Sequence, residues 1–98
     1  MTYNRNYITD ILRAVFMNYN VNKAVLFGSA SRSETTGKSD IDIAVDSGLK
    51  GLAFFGLLEE VCSHFDCRVD LIDTQDIIPD SLIDKEIRNT GVTIYERT

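Results

Sequence analysis

The sequence has 98 residues, 44% hydrophobic and 26% charged; the length suits one domain over residues 1–98 and excludes two, and the composition excludes a disordered chain. Its ten Lys and Arg are outnumbered by 15 acids, leave a net charge of −5 and form no stripe, which argues against direct nucleic-acid binding. No apolar run reaches the length of a membrane span, the N-terminal MTYNRNYITD has no signal-peptide core, and two cysteines make no disulfide framework, so a cytoplasmic setting is expected.

Residues 5–19 carry Ile8, Ile11, Leu12, Val15, Phe16 and Tyr19 at helical spacing and predict an amphipathic helix. Residues 23–28, KAVLFG, predict a short buried strand ending at Gly28. Residues 29–39 are polar, a loop with room for one helical turn. Residues 40–46, DIDIAVD, alternate strictly and predict a second strand. Residues 50–65 predict a helix apolar on most sides, through Leu52, Phe54, Phe55, Leu57, Leu58, Val61, Cys62 and Phe65. Residues 68–73 predict a third strand. A further helix is expected to begin near Pro79 and to stop between Asn89 and Gly91, and residues 92–96 predict a final strand. The expected fold is α/β of α+β type, a small mixed sheet of three to four strands with helices packed against it. The sheet is expected to be mixed because the dozen or so residues between the first two strands are too many for a tight hairpin and marginal for a parallel crossover.

The most informative segment is Ser39-Asp40-Ile41-Asp42-Ile43-Ala44-Val45-Asp46. Side chains alternate across a strand, so Asp40, Asp42, Ala44 and Asp46 share one face, and Ile41, Ile43 and Val45 share the other, the core face. Asp is depleted in strands. Alternate residues lie about 6.6 Å apart at Cα. Two carboxylates drawn to about 4 Å repel by roughly 4 kcal/mol at an effective dielectric of about 20. A divalent cation turns that repulsion into attraction, and hard oxygen donors suit magnesium. Asp70 shares a strand face with Arg68 and Ile72. If its strand neighbours 40–46, it joins Asp40 and Asp42, and the third acid can hold a second ion or take a proton from an attacking hydroxyl.

Two acids alone would fit a solvated edge strand as well; the turn before them alters the balance. Gly28-Ser29 follows a buried strand directly. Glycine lets a backbone approach a phosphate closely. Ser29 and the amides after it would open a short helix, whose N–H groups receive an anion, and Arg32 adds a fork of donors. A phosphate cradle beside a magnesium site is a triphosphate site. Gly37-Lys38-Ser39 mimics the end of a Walker A loop, but position 32 is Arg where that motif needs Gly, and a strand follows. Cys62, His64 and Cys67 lack the fourth ligand and the paired spacing of a zinc site.

Taken together, Gly28-Ser29-x-x-Arg32, Ser39-Asp40-Ile41-Asp42 and Asp70 resemble the pattern of the DNA polymerase beta-like nucleotidyltransferase superfamily, above all its minimal, antitoxin-type branch. The likeness covers nearly the whole chain, to Gly91-Val92-Thr93-Ile94-Tyr95-Glu96. Ser31 and Ser33 depart from the pattern, standing where Ala and Gly are usual. The resemblance implies a nucleotidyltransferase fold. It also implies that Gly28 and Ser29, with Arg32 and Ser39, bind the phosphates of ATP. Asp40, Asp42 and Asp70 would ligate one or two Mg2+ ions, Asp70 acting on the acceptor hydroxyl or holding the second ion. The implied reaction is in-line attack on the α-phosphorus with loss of pyrophosphate, moving AMP onto a hydroxyl. Members of this size pair with a helical toxin of the HEPN class, and some silence it by AMPylating a tyrosine. With the whole chain used by the motif and its scaffold, the acceptor is expected on a partner protein. The broad apolar helix 50–65 is expected either to be covered by another chain or to lie as a central helix across the sheet; homo-oligomerisation stays open. Two other readings compete: a module that neutralises its partner by occlusion, and a small-molecule (antibiotic) nucleotidyltransferase, against which the short length counts.

Overall fold

Each periodic segment of the sequence is a regular element. In the computed structural model, which describes residues 3–28, 34–35 and 41–97, the order is β1 (Tyr3–Asn4), α1 (Arg5–Asn18), β2 (Lys23–Phe27), β3 (Glu34–Thr35), β4 (Ile41–Asp46), α2 (Leu52–Cys62), β5 (Val69–Asp73), a 3-10 turn (Thr74–Asp76), α3 (Leu82–Thr90) and β6 (Val92–Glu96). The side chain of Asn4 caps α1 by accepting from the Tyr7 N–H at 2.8 Å. The expected start of α3 at Pro79 is corrected. Asp80 has φ 64°, outside any right-handed helix, and the hydroxyl of Ser81 accepts from the Asp84 N–H at 3.2 Å. Ser81 is therefore the cap, and the helix begins one residue later.

Four strands form one sheet in the order β5-β4-β2-β6. Strand β2 runs antiparallel to β4 and β6, whereas β4 and β5 are parallel. The sheet is mixed, as expected, and β4 lies inside it, so its acids are not on a solvated edge. The long β2–β4 connection is not only loop: β3 within it pairs antiparallel with β1, Tyr3 opposite Thr35 and Asn4 opposite Glu34. The single helical turn expected in this connection lies outside the described residues.

Helices α1 and α2 cover one sheet face. There Ile8, Leu12, Phe16, Leu26, Ile41, Ile43, Val45, Leu57 and Val61 form one fully buried cluster, which matches the face assigned to Ile41, Ile43 and Val45. Fully burying such side chains stabilises by about 1.5–3 kcal/mol each. The opposite face is not wholly open. Ala44, on the acidic side of β4, is buried and lines a small cavity with Val25, Pro79 and Ile87, beneath α3. The pairing of β6 with β2 shifts register between Ala24 and Val25, an irregularity that leaves Ile94 facing the core while its carbonyl accepts from Arg13 Nε at 2.6 Å. Among the described residues no helix is long and apolar enough to cross a membrane.

Candidate active site

Register decides which side chains meet. Phe27 of β2 lies opposite Asp42 of β4, and Asp42 lies beside Asp70 of β5. Side chains in register on adjacent strands share a face, so the two carboxylates start from Cα atoms about 4.8 Å apart. Of the expected meeting of Asp70 with Asp40 and Asp42, the strand order places Asp70 beside Asp42, and Asp40 lies outside the described residues. Both acids line a cavity of about 490 Å3, with Phe27, Leu71, Ile72, Leu82, Ile83 and Glu86 as the remaining wall. That volume lies within the range of small-molecule sites.

Asp70 accepts from Arg68 Nε at 3.3 Å. The Arg68 side chain is 73% exposed, so the pair holds only loosely, and Asp70 can exchange it for a stronger cation. Asp42 is half-buried and lies hard against Gly28: a Cβ there would come within 2.6 Å of Asp42 Oδ2. Gly28 also has φ 70°, a conformation open to glycine and strained for other residues. Its N–H donates to Thr90 Oγ1 at 2.9 Å. One glycine thus links the end of β2 to the acid on one side and to α3 on the other.

The cavity side chains suit a magnesium ion. Two hard carboxylates in register repel each other, and a divalent cation removes that cost. Among the described residues no group of three His, Cys, Asp or Glu side chains is placed to hold a metal. A third carboxylate would come from Asp40. Asp40, like Ser29, Arg32 and Ser39, lies outside the described residues.

Glu86 went unnoticed in the sequence. It faces the cavity because it follows Leu82 by four positions on α3, and residues so spaced share a helix face. That spacing was readable; the partner acids across the cavity were not, since they belong to other elements. The Cys62–His64–Cys67 cluster sits elsewhere. His64, in the turn after α2, has its Nε2 3.1 Å from Oε2 of Glu60 in the helix's last turn, Cys62 is exposed and Cys67 half-buried. Asp73 is buried and caps the 3-10 turn, accepting from the Gln75 N–H at 3.1 Å and from Ser47 Oγ at 2.5 Å, and so ties the ends of β4 and β5 together.

The family model described as polymerase beta, nucleotidyltransferase, matches residues 10–98. Several solved structures share the fold. A mutant form of the toxin–antitoxin MntA–HpeT matches at 26% identity and TM-score 0.70, over 98% of this chain and 76% of that one. A toxin–antitoxin with AMP-PNP matches at 23% identity and TM-score 0.72, over 92% and 74%. A tri-AMPylated Shewanella oneidensis HEPN toxin in complex with MNT antitoxin matches at 22% identity and TM-score 0.71, over 95% and 73%. Among curated proteins no sequence matches.

Proposed function

Because this chain belongs to the polymerase beta nucleotidyltransferase family, we propose that residues 1–98 are a single minimal nucleotidyltransferase domain that moves AMP from ATP onto a hydroxyl of a partner protein, as the antitoxin of a HEPN-type toxin pair in the cytoplasm. The observation that carries this reading is the placement of Asp42 and Asp70 side by side on one cavity wall, with Gly28 pressed against Asp42. Similar structures support it. The mutant MntA–HpeT form carries two aspartate-to-glutamate substitutions two positions apart, the spacing of Asp40 and Asp42 here. Another similar structure holds an AMPylated HEPN toxin.

In this reading Asp40, Asp42 and Asp70 hold one or two Mg2+ ions, which when bound neutralise charge on the triphosphate. Ser29, Arg32 and Ser39 bind the phosphates at the turn that Gly28 begins. The acceptor oxygen attacks the α-phosphorus, the bond to the pyrophosphate oxygen breaks, and the acceptor proton passes to a carboxylate, for which Asp70 is the candidate. Phe27, Leu71, Leu82 and Ile83 give the cavity an apolar wall. The acceptor comes from another protein. Ile72, Leu82 and Ile83 continue from this cavity into an apolar groove that includes Ile77 and Ile78, and such a rim suits a protein segment better than a sugar or an aminoglycoside.

The test is transfer of label from α-labelled ATP to the helical partner in the presence of magnesium. Wild type labels the partner. Asp42→Asn and Asp70→Asn lose transfer by more than the roughly hundredfold that follows loss of an outer-shell metal partner, with circular dichroism unchanged. Wild-type rates in the Asp42→Asn variant would overturn the proposal. Neutralisation by occlusion is the second reading, favoured by the exposed Leu52 and Phe55 of α2. It expects the Asp42→Asn variant to neutralise the partner as well as wild type does.

A further inference from the structure

The last turn of α3 holds a residue that helix formation does not ask for. Thr90 is β-branched, and such residues have lower helix propensity than Ala, Lys or Glu. Its hydroxyl sits in a chain of hydrogen bonds. Thr90 Oγ1 donates to the Glu86 carbonyl at 2.9 Å, which commits the hydroxyl proton and turns a lone pair outward. That lone pair accepts the Gly28 N–H at 2.9 Å. Consecutive bonds of this kind polarise one another.

Gly28 itself has little room to move. Asp42 Oδ2 occupies the space on its Cα, and its φ of 70° sets the direction in which the chain leaves β2. The residue after Thr90, Gly91, is packed so closely that a Cβ would meet the Ile87 carbonyl oxygen and Val25 Cγ1 of β2. The end of α3 is therefore seated on the sheet beside Gly28.

We propose that Thr90 is a positioning residue for nucleotide binding: its hydroxyl fixes the Gly28 peptide, and through it the Asp42 carboxylate packed against Gly28. The proposal rests on the nucleotidyltransferase reading. It also removes the Gly28 N–H from the anion donors, because that group points at Thr90.

The test pairs Thr90→Val, which keeps the shape and loses the hydroxyl, with Thr90→Ser, which keeps the hydroxyl. Two readouts are taken: hydrogen exchange at the Gly28 amide, and the affinity for AMP-PNP with magnesium. In the Val variant the Gly28 amide exchanges about tenfold faster, the size expected for one lost internal hydrogen bond. AMP-PNP binding weakens several-fold, and in the transfer assay KM for ATP rises more than kcat falls. The Ser variant restores all three. Unchanged exchange at Gly28 in the Val variant overturns the assignment, whatever the transfer assay gives. Faster exchange with unchanged AMP-PNP affinity overturns the positioning role and leaves Thr90 a structural brace. If wild type binds no AMP-PNP while exchange follows the hydroxyl, the nucleotidyltransferase reading fails and the Gly28–Thr90 link stands.

Discussion

A methyl group on Gly28 would meet two obstacles at once. The φ of 70° costs a side chain about 1–2 kcal/mol, and the new Cβ would fall within 2.6 Å of Asp42 Oδ2. The carboxylate must then move, because the backbone of β2 and β4 is held by the ladder that pairs Phe27 with Asp42. Gly28→Ala is expected to lose on the order of 2 kcal/mol, a fall in Tm of about 10 °C for a chain of this size. Transfer should fall by about a hundredfold, the cost of misplacing a reacting group by about an ångström. Thermal melts and the label-transfer assay check both. A full-rate Gly28→Ala variant would mean that Asp42 tolerates displacement and is not a ligand. In the sequence Gly28 reads as a residue that would let the backbone approach a phosphate. Its contact with Asp42 depends on which strand lies beside β2, and no local pattern encodes that.

Helix α3 ties the site together as an element. It begins at the Ser81 cap and ends at Gly91, where the N–H of Gly91 returns to the Ile87 carbonyl at 2.8 Å. Gly91 has φ −66°, so it is glycine for space and not for a left-handed turn: the Ile87 carbonyl and Val25 Cγ1 leave no room for a Cβ. Gly91→Ala should therefore lift the end of α3 off β2 and destabilise by about 1–3 kcal/mol, as overpacking does. A urea titration measures this, and a variant as stable as wild type would show that the junction yields. Most elements were legible because α1 and β4 divide apolar from polar residues by a helical or strand period, and β2 is a short apolar run that ends at Gly28. The start of α3 was not, since Pro79 mimics a first-turn proline while Asp80 breaks the helix behind it. The β1–β3 pairing was not either, because two-residue strands have no period. The acid pair was half legible: the residues Asp42 and Asp70 stood out as chemistry, whereas their neighbouring places needed the strand order. Glu86 escaped for the same reason, being brought to the acids only by the packing of α3.

At the scale of the molecule, two exposed apolar surfaces lie on opposite sides of the sheet, and they divide the two functional readings. Phe55, 52% exposed, stands on α2, which packs against the Ile41–Ile43–Val45 face. Ile78, 71% exposed, stands at the groove that continues from the acid cavity. A partner that offers a hydroxyl to the cavity has to cover Ile78, and a partner held only by α2 is on the wrong side to be modified. Introducing a carboxylate into a covered apolar contact leaves a charge without water or a counter-ion, and interface hot spots lose at least tenfold in affinity when disrupted. Ile78→Glu is expected to raise the KM for the partner protein by about tenfold or more and to leave AMP-PNP affinity and Tm unchanged, since Ile78 touches neither the acids nor the core. Phe55→Glu should leave transfer at the wild-type rate. The opposite pattern, with Phe55→Glu releasing the partner and Ile78→Glu silent in both binding and transfer, would place the partner on α2 and turn the protein from a modifying enzyme of that partner into its cover.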